Sequence, residues 1–442
     1  MSLRKLLSGT LLVLGFAAAV PIRAAAQSPA PAAQPVPALD SLLSAGSLDL
    51  RLLERAVLER NPSLGAMRAA WQGAEAAADQ AGAWDDPMAE VMVAPQSWNS
   101  SAVDRAYMAS ISQDFPIFGQ RGLKGRAAKA GARAMGEDYR SVRLDMLRET
   151  RRAYYEYYFV ARSQAVNVEL RELLTQFHRT AVGKYSAGTA GLDDALQADV
   201  ELAMLDHEEV GLARARRVVA ARMNTLLQRE PGGPLPEPPG DIALPVTPVR
   251  ADSLHVLALA LRPELRSWSE QRRAKEVELS LAHRNRLPDF TITARYDRFM
   301  NERQWRPQVG AGLNLPIQFG RLGAAEREAR AGVEQMEYRR HAAEAQIGSE
   351  VETALAGAQE TEHEIHIIQE RVVPATERAL RAIRTSYENS RASFLVLLNA
   401  ERDLARARLD LYRAQVSYLQ NIADLERAVG VPPAEISREV KR

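Results

Sequence analysis

The chain has 442 residues, of which 57 are basic and 56 acidic, so its formal net charge is +1. This balance lacks the basic surplus on which nucleic-acid binding depends, so we expect no nucleic-acid partner. The absence of cysteine excludes disulfides, thiolate catalysis, cysteine-based metal sites and a lipid-modified N-terminal cysteine.

The first 26 residues predict a secretory signal peptide. Arg4 and Lys5 precede an apolar run, and Ala24 and Ala26 form an A-x-A cleavage site. Residues 27–47 are rich in Pro and Ala at their start and predict a flexible N-terminal segment. No later segment has 18 consecutive apolar residues, so the exported chain is expected to be periplasmic, secreted or inserted in an outer membrane through β-strands.

The chain consists of two similar halves. A shift of about 201 residues places Gly119 on Gly320 and the sequence AKAG on ARAG. Each half contains a helix, two alternating runs, a very long helix and a returning helix. The predicted segments are a first repeat at 48–229, a Pro-rich linker at 230–248, a second repeat at 249–430 and a C-terminal tail at 431–442.

Four runs alternate between apolar and polar residues, which is the period of a β-strand. They occupy about 87–95, 105–115, 289–299 and 307–316. In one run, Phe290 and Ile292 point to one face and Thr291 to the other. Each run has roughly the length of a transmembrane strand. Tryptophans stand at the run ends, where an aromatic belt would lie, at positions Trp84, Trp98 and Trp305. On pattern alone, two amphipathic hairpins packed on a soluble core are the alternative.

Helical hairpins are predicted at about 119–229 and 320–429. Nothing decisively breaks the first long helix before Tyr185, so it spans about 67 residues, or roughly 100 Å. The second long helix has apolar residues at steps of three, four or seven, which is typical of a coiled-coil seam, and Pro374 should bend it. The returning helices are shorter, which favours two short helices stacked end to end beside each long one.

A proline and a glycine mark both transitions from strand to helix. Pro116 and Pro316 cannot donate a ladder hydrogen bond, so each predicts the end of strand pairing. Gly119 and Gly320 predict a bend with backbone angles that other residues adopt poorly.

Four strands are too few to close a membrane barrel, because open sheet edges would expose unpaired backbone groups to lipid. The chain must therefore share one barrel with other copies. Eight strands from two copies leave no open lumen, so an aqueous channel favours three copies and 12 strands.

The ordered elements of the mature chain resemble the TolC family of outer-membrane efflux channels. The resemblance rests on the corners "FPIFG" and "LPIQFG", the helix start "ERNPSL" and the tips "YSAGTAGLDDALQADVEL" and "YENSRASFLVLLNAERDL". It implies a mainly α fold with a transmembrane β-barrel, in which long coiled-coil hairpins and four strands per chain form a TolC-like barrel completed by trimerisation. The stretch "SQDFPIFGQRGLK" is most similar to the branch that works with metal-exporting pumps.

The resemblance implies the outer-membrane channel subunit of a tripartite efflux system, with helices that extend into the periplasm. The expected partners are two further copies in a homotrimer, a periplasmic adaptor, an inner-membrane pump of the RND type and outer-membrane lipid. Family members are ducts without catalytic groups or cofactors, so we expect no enzyme activity. The alternative is a periplasmic coiled-coil adaptor or structural protein that never enters the membrane.

The tips are the predicted functional site, because family tips close the periplasmic end of the duct, often with acidic rings. Here the first tip has Asp193 and Asp194, whereas the second has Leu395 and Val396 at the corresponding positions and Asn399 where an acid is frequent in the family. Arg391 lies near them in sequence and is expected to pair with an Asp of a neighbouring tip. The simpler interpretation is that the two aspartates only stabilise a helix N-terminus.

Two other clusters have ordinary interpretations. His363 and His366 stand one helical turn apart and could hold a metal, but an exposed coiled-coil face is the preferred interpretation. Aromatic residues on the first long helix are interpreted as packing between helices, at Tyr154, Tyr155, Tyr157, Tyr158 and Phe159. No nucleophile–base set or phosphate loop occurs, which argues against a periplasmic enzyme.

Overall fold

The computed structural model describes residues 37–98, 105–188, 191–245, 251–389 and 391–431. The predicted signal peptide and nearly all of the predicted C-terminal tail lie outside these ranges. The described helices are α1 Pro37–Ser44, α2 Leu50–Arg60, α3 Pro62–Ala81, α4 Pro95–Trp98, α5 Gln120–Ser186, α6 Asp193–Leu226, α7 Ala251–Leu261, α8 Pro263–Arg284, α9 Phe319–Ile367, α10 Val373–Glu388 and α11 Phe394–Val429. The strands are β1 Met88–Val93, β2 Tyr107–Phe115, β3 Asp289–Asp297 and β4 Pro307–Asn314. A 3₁₀ turn covers Arg303–Trp305, and a π-helical segment covers Ile368–Val372.

The four strands form one antiparallel sheet in chain order, β1-β2-β3-β4. Val91 lies opposite Ala109, Ala109 opposite Tyr296, and Tyr296 opposite Pro307. The apolar residues of all four strands therefore share one face, which confirms the predicted alternation. Within the described residues, β1 pairs only with β2 and β4 only with β3, so both outer edges of the sheet are unpaired in a single copy.

The first strand-to-helix corner has the predicted construction. β2 ends at Phe115, immediately before Pro116. Gly119 caps the start of α5 with φ of 84°, in the left-handed region that glycine adopts at no steric cost.

The second corner differs, and the prediction for Gly320 is wrong. β4 ends at Asn314, two residues before Pro316, and α9 already begins at Phe319. The turn into this helix is made at Gln318, whose φ of −84° is open to any residue, so Gly320 is an ordinary helical residue without a positive φ.

These two glycines provide a matched test of the corner. A Cβ added at Gly119 or at Gly320 meets no atom within 4 Å, so an alanine differs between them only in backbone cost. We expect Gly119→Ala to destabilise the protein by about 1–2 kcal/mol and Gly320→Ala to have no destabilising effect. Thermal unfolding followed by circular dichroism measures both, and equal melting temperatures would show that the left-handed corner is dispensable.

The helices largely follow the predicted layout. α5 is continuous over 67 residues, as predicted. The helix predicted before each strand pair is divided in two, because Pro62 and Pro263 each start a new helix after an extended residue. The π-helical segment ends at Val372, two residues before Pro374, so the regular α-helix is interrupted close to the predicted position.

The N-terminal segment corrects one prediction. Residues 37–44, expected to belong to a flexible stretch, form α1. The reason is the spacing of Leu39 and Leu42, which places both side chains on one helix face, where they are buried in a core cluster with the tyrosines of α5.

Neighbouring helices follow a fixed lateral order. Near the sheet, α5 packs between α3 and α8, and α8 also packs against α9. Farther from the sheet, α5 packs against α6 and α11, and α11 packs against α10. The order is therefore α3–α5–α8–α9 at one level and α6–α5–α11–α10 at the other, with two short helices beside one long helix as predicted. No helix in the described ranges has the length and hydropathy needed to cross a bilayer.

Candidate functional site

The two hairpin turns meet at the end of the molecule remote from the sheet. Phe394, the first residue of α11, is fully buried and packs edge-on against Phe177 of α5, with ring centres 6.3 Å apart. Tyr387 of α10 also packs against Phe394, and the Lys184 ammonium lies 4.2 Å from the centre of the Tyr387 ring. These contacts fix the second tip beside the first, so the candidate gate residues lie at one end of the bundle.

The two aspartates occupy the first turn of α6. Asp193 is exposed and Asp194 is half-buried. Burial raises the pKa of Asp194, the neighbouring charge of Asp193 raises it further, and Lys184 opposes both effects. The position in the first turn also suits the helix dipole, so the helix-start interpretation and a gating role are compatible.

The other predicted tip residues are exposed but do not contact the aspartates. Arg391 uses its backbone N–H to donate to the Ser386 carbonyl at 2.8 Å, and its side chain makes no ion pair with Asp194 in the described part of one copy. Val396 and Asn399 also face solvent, while the neighbouring Phe394 is buried. The proposed contact between Arg391 and an aspartate therefore depends on a second copy of the chain.

Sequence analysis missed a buried carboxylate that supports the tip. Glu401 of α11 is nearly buried and accepts a hydrogen bond from Arg384 of α10 at 3.0 Å. Burial raises the pKa of Glu401, and the Arg384 charge acts in the opposite direction. The signal was an acid in a seam of Leu and Ala, between Ala400 and Leu404, where an apolar residue is expected.

The histidine pair lies on an exposed helix face, and the tyrosines of the aromatic cluster lie in the core. His363 and His366 are exposed, and His366 pairs with Glu370 at 3.0 Å. Across the described residues, no group of three or more potential metal ligands is gathered. The tyrosines of α5 pack in the core, where Tyr154 and Tyr155 meet edge-on with ring centres 5.5 Å apart. Burial raises the pKa of Tyr154 to about 12, so the hydroxyl stays protonated.

A second missed feature is an ion-pair network at the junction of four helices. Arg262 follows α7, its side chain is only 4% exposed, and it donates to Glu264 and Glu350 at 3.0 Å each. Arg262 also donates to the last carbonyls of α11, those of Arg427 and Ala428. Arg427 in turn contacts Glu264 and Asp145 at 2.6 Å. This network joins α5, α8, α9 and α11.

Comparison with known proteins gives one consistent result. A family model described as "Outer membrane efflux protein" matches residues 53–228 and 254–431, one range in each repeat. Among solved structures, the outer-membrane channel OprN is similar with a TM-score of 0.72 and 18% identity, covering 91% of this chain and 97% of that one. CusC gives a TM-score of 0.74 and 17% identity, covering 87% and 92%. VceC from Vibrio cholerae gives 0.72 and 20%, covering 86% and 96%. No curated protein matches the sequence.

Proposed function

The chain belongs to the outer membrane efflux protein family, and we propose that three copies assemble into one duct that docks a periplasmic adaptor and an inner-membrane pump of the RND type. As a family member, the chain is an outer-membrane channel subunit of an efflux system. The family match favours this function over the alternative of a periplasmic adaptor.

The sheet is the observation that carries the proposal. Its apolar face is uncovered in one copy, with Val91 71% and Val309 82% exposed. Its two edges have unpaired backbone groups, which lipid cannot satisfy. Pairing β4 of one copy with β1 of the next removes every edge, and three copies then give a closed barrel of 12 strands around an open lumen.

The lateral order of the helices supports the same closure. α3 and α9 stand at opposite edges of one copy, so a ring of copies places α9 of one beside α3 of the next. The exposed face of α3 carries small residues, namely Ala66, Ala69, Ala70, Gly73 and Ala77. Tyr338 of α9 is 76% exposed. The repeat shift aligns Tyr338 with the part of α5 that packs beside Trp71 of α3. Tyr338 therefore lies at the same height along the bundle as the middle of α3.

Charges at these edges are also complementary. Arg51 and Arg55 of α2 are exposed and make no ion pair within the described part of one copy. Between them, Glu54 contacts Arg151 of α5. The repeat shift places Glu352 of α9, which is exposed and without an ion pair among the described residues, at the level of Arg151. Glu352 of one copy therefore faces the two arginines of its neighbour.

A charge exchange tests this contact. Glu352→Arg should weaken each interface by about 1 kcal/mol, which is about fivefold, because it replaces an attraction with a repulsion. Adding Arg55→Glu should restore the trimer, measured as the trimer fraction in detergent by mass photometry. Glu328→Arg is the matched control, because Glu328 is also exposed on α9 but lies about a third of a turn around the helix from Glu352. A double variant no better than Glu352→Arg alone would contradict the proposed neighbours.

The tips provide the proposed gate. Three copies of Asp193 and Asp194 would place six carboxylates around the axis, and such a ring attracts cations. Arg391 of one copy would pair with Asp194 of the next and hold the tips together. Docking of the adaptor would open the tips through its higher affinity for the open form.

Ion selectivity in planar bilayers tests the gate. Asp194→Asn should reduce the preference of purified trimers for cations, because three charges leave the constriction. Since the pKa of Asp194 is raised, wild-type selectivity should also weaken at a higher pH than for an ordinary aspartate. Asp206→Asn, which removes the same charge from α6 away from its first turn, is the control. Equal reversal potentials for both variants would place the constriction elsewhere.

A further inference from the structure

Two arginines lie against aromatic rings at the end of the sheet that is remote from the long helices. The Arg105 guanidinium carbon lies 5.5 Å from the centre of the Trp98 ring. The Arg298 guanidinium carbon lies 5.7 Å from the centre of the Tyr107 ring, which is itself 6.3 Å from that of Tyr296. Arg298 also donates its backbone N–H to the Tyr107 carbonyl at 2.8 Å, so the two arginines flank adjacent strands.

Both arginines extend the apolar face. Tyr107 lies opposite Val93, and Tyr296 lies opposite Ala109, so both tyrosines belong to that face. Arg105 lies two residues before the start of β2 at Tyr107, and Arg298 directly follows the end of β3 at Asp297, so both stand at the rim of that face. The contact between Arg298 and the Tyr107 ring agrees with this placement.

These guanidinium groups are not neutralised by acids of the described chain. Neither arginine makes an ion pair among those residues, and the Arg298 Nε atom is buried without a hydrogen-bond partner. The adjacent Asp297 is buried and accepts from the backbone N–H of Phe299 at 2.9 Å instead. Among the described residues, these cations at the rim of an apolar surface therefore have no anionic partner. Guanidinium groups bind phosphate through two parallel hydrogen bonds.

We propose that Arg105 and Arg298 bind the phosphate groups of a phosphorylated glycolipid of the lipid A type in the outer leaflet. The proposal rests on the proposed function, because the helices reach into the periplasm only if this end of the sheet faces outward. The acyl chains would then lie along Val93 and its neighbours on the apolar face, while the aromatic rings occupy the interface. The site is at the membrane surface and is separate from the duct and its tips.

Native mass spectrometry of purified trimers tests the proposal. Wild-type trimers are expected to retain added doubly phosphorylated lipid A, and Arg105→Gln with Arg298→Gln should weaken retention by about tenfold. Arg295→Gln, on the polar face of β3, should retain it like wild type. The double variant Arg105→Lys with Arg298→Lys keeps both charges but lacks the planar guanidinium groups, so it should show intermediate retention. It replaces the Gln variant in the test if the Gln variant fails to assemble.

Three outcomes would overturn the lipid site. One is equal retention by the wild-type and Gln variants, and another is equal wild-type retention of a dephosphorylated glycolipid. The third is displacement of lipid by millimolar inorganic phosphate, which would make the site a general anion site. Trimer mass and bilayer conductance are recorded on the same samples. The double Gln variant is expected to assemble and conduct like wild type, so loss of lipid retention alone concerns the lipid site, whereas loss of assembly or conductance concerns the proposed duct.

Discussion

Val309→Arg is expected to remove most of the trimer from the outer membrane. Val309 lies on the apolar face of β4 opposite Ala294 and is 82% exposed in the described part of one copy. An arginine that faces lipid costs about 2–4 kcal/mol at the bilayer midplane and less towards the interface, and the trimer would carry three of them.

Gly310→Arg is the control for this variant. Gly310 is the next residue, lies opposite Thr293 on the polar face, and has no atom within 4 Å of an added Cβ. Its arginine would enter the water-filled lumen, so the trimer should persist. Closed barrels resist SDS until boiled, so the trimer yield of both variants can be read from unheated and heated gel samples. Comparable loss in the two variants would contradict the assignment of the faces.

Arg262→Ala is expected to be the most destabilising single truncation in the helical region. It would remove one of the two arginines that contact Glu264, leave Glu350 without its arginine and leave the last carbonyls of α11 without their side-chain donor. Removing one member of a buried pair costs about 3–5 kcal/mol. Arg272→Ala, which removes a partly exposed pair with Glu276 on α8, should cost about 0–1 kcal/mol.

Thermal unfolding of the two variants measures this difference, and equal melting temperatures would show that the network adds no stability.

The network also predicts an acid response. Burial opposes the charge of Glu264, but Arg427 and Arg262 outweigh it and lower the pKa of Glu264. Its contribution to stability is therefore complete above the unfolded-state pKa and is lost as pH falls through the lowered folded-state pKa.

Local periodicity was sufficient to predict the sheet and the long helices. Alternation over Phe290, Thr291 and Ile292 assigns the faces of β3 because a strand has a period of two. The ends of α5 follow from Gly119 and the tip turn, and the interruption of the second long helix follows from Pro374.

Features that depend on distant residues could not be predicted in this way. The pairing of Arg262 with Glu350 joins positions 88 residues apart, and no spacing rule relates them. The alignment of Gly320 with Gly119 predicts a bend at both glycines. The helix after β2 begins after Gly119, whereas the helix after β4 begins before Gly320, so Gly320 lies inside the helix. The pairing of Arg391 with an aspartate of another copy and the similarity to the metal-exporting branch both stay predictions.

The unbroken course of α5 constrains how the length of this duct can change. A single residue inserted into α5 would rotate everything beyond it by about 100°, turning Asp193 and Asp194 away from the axis. A longer or shorter relative must therefore add or remove nearly whole numbers of turns, such as seven or eleven residues. The same change must occur in the second long helix and in the helices stacked beside both. The distance that the duct can reach across the periplasm is therefore set in discrete steps, shared among several helices.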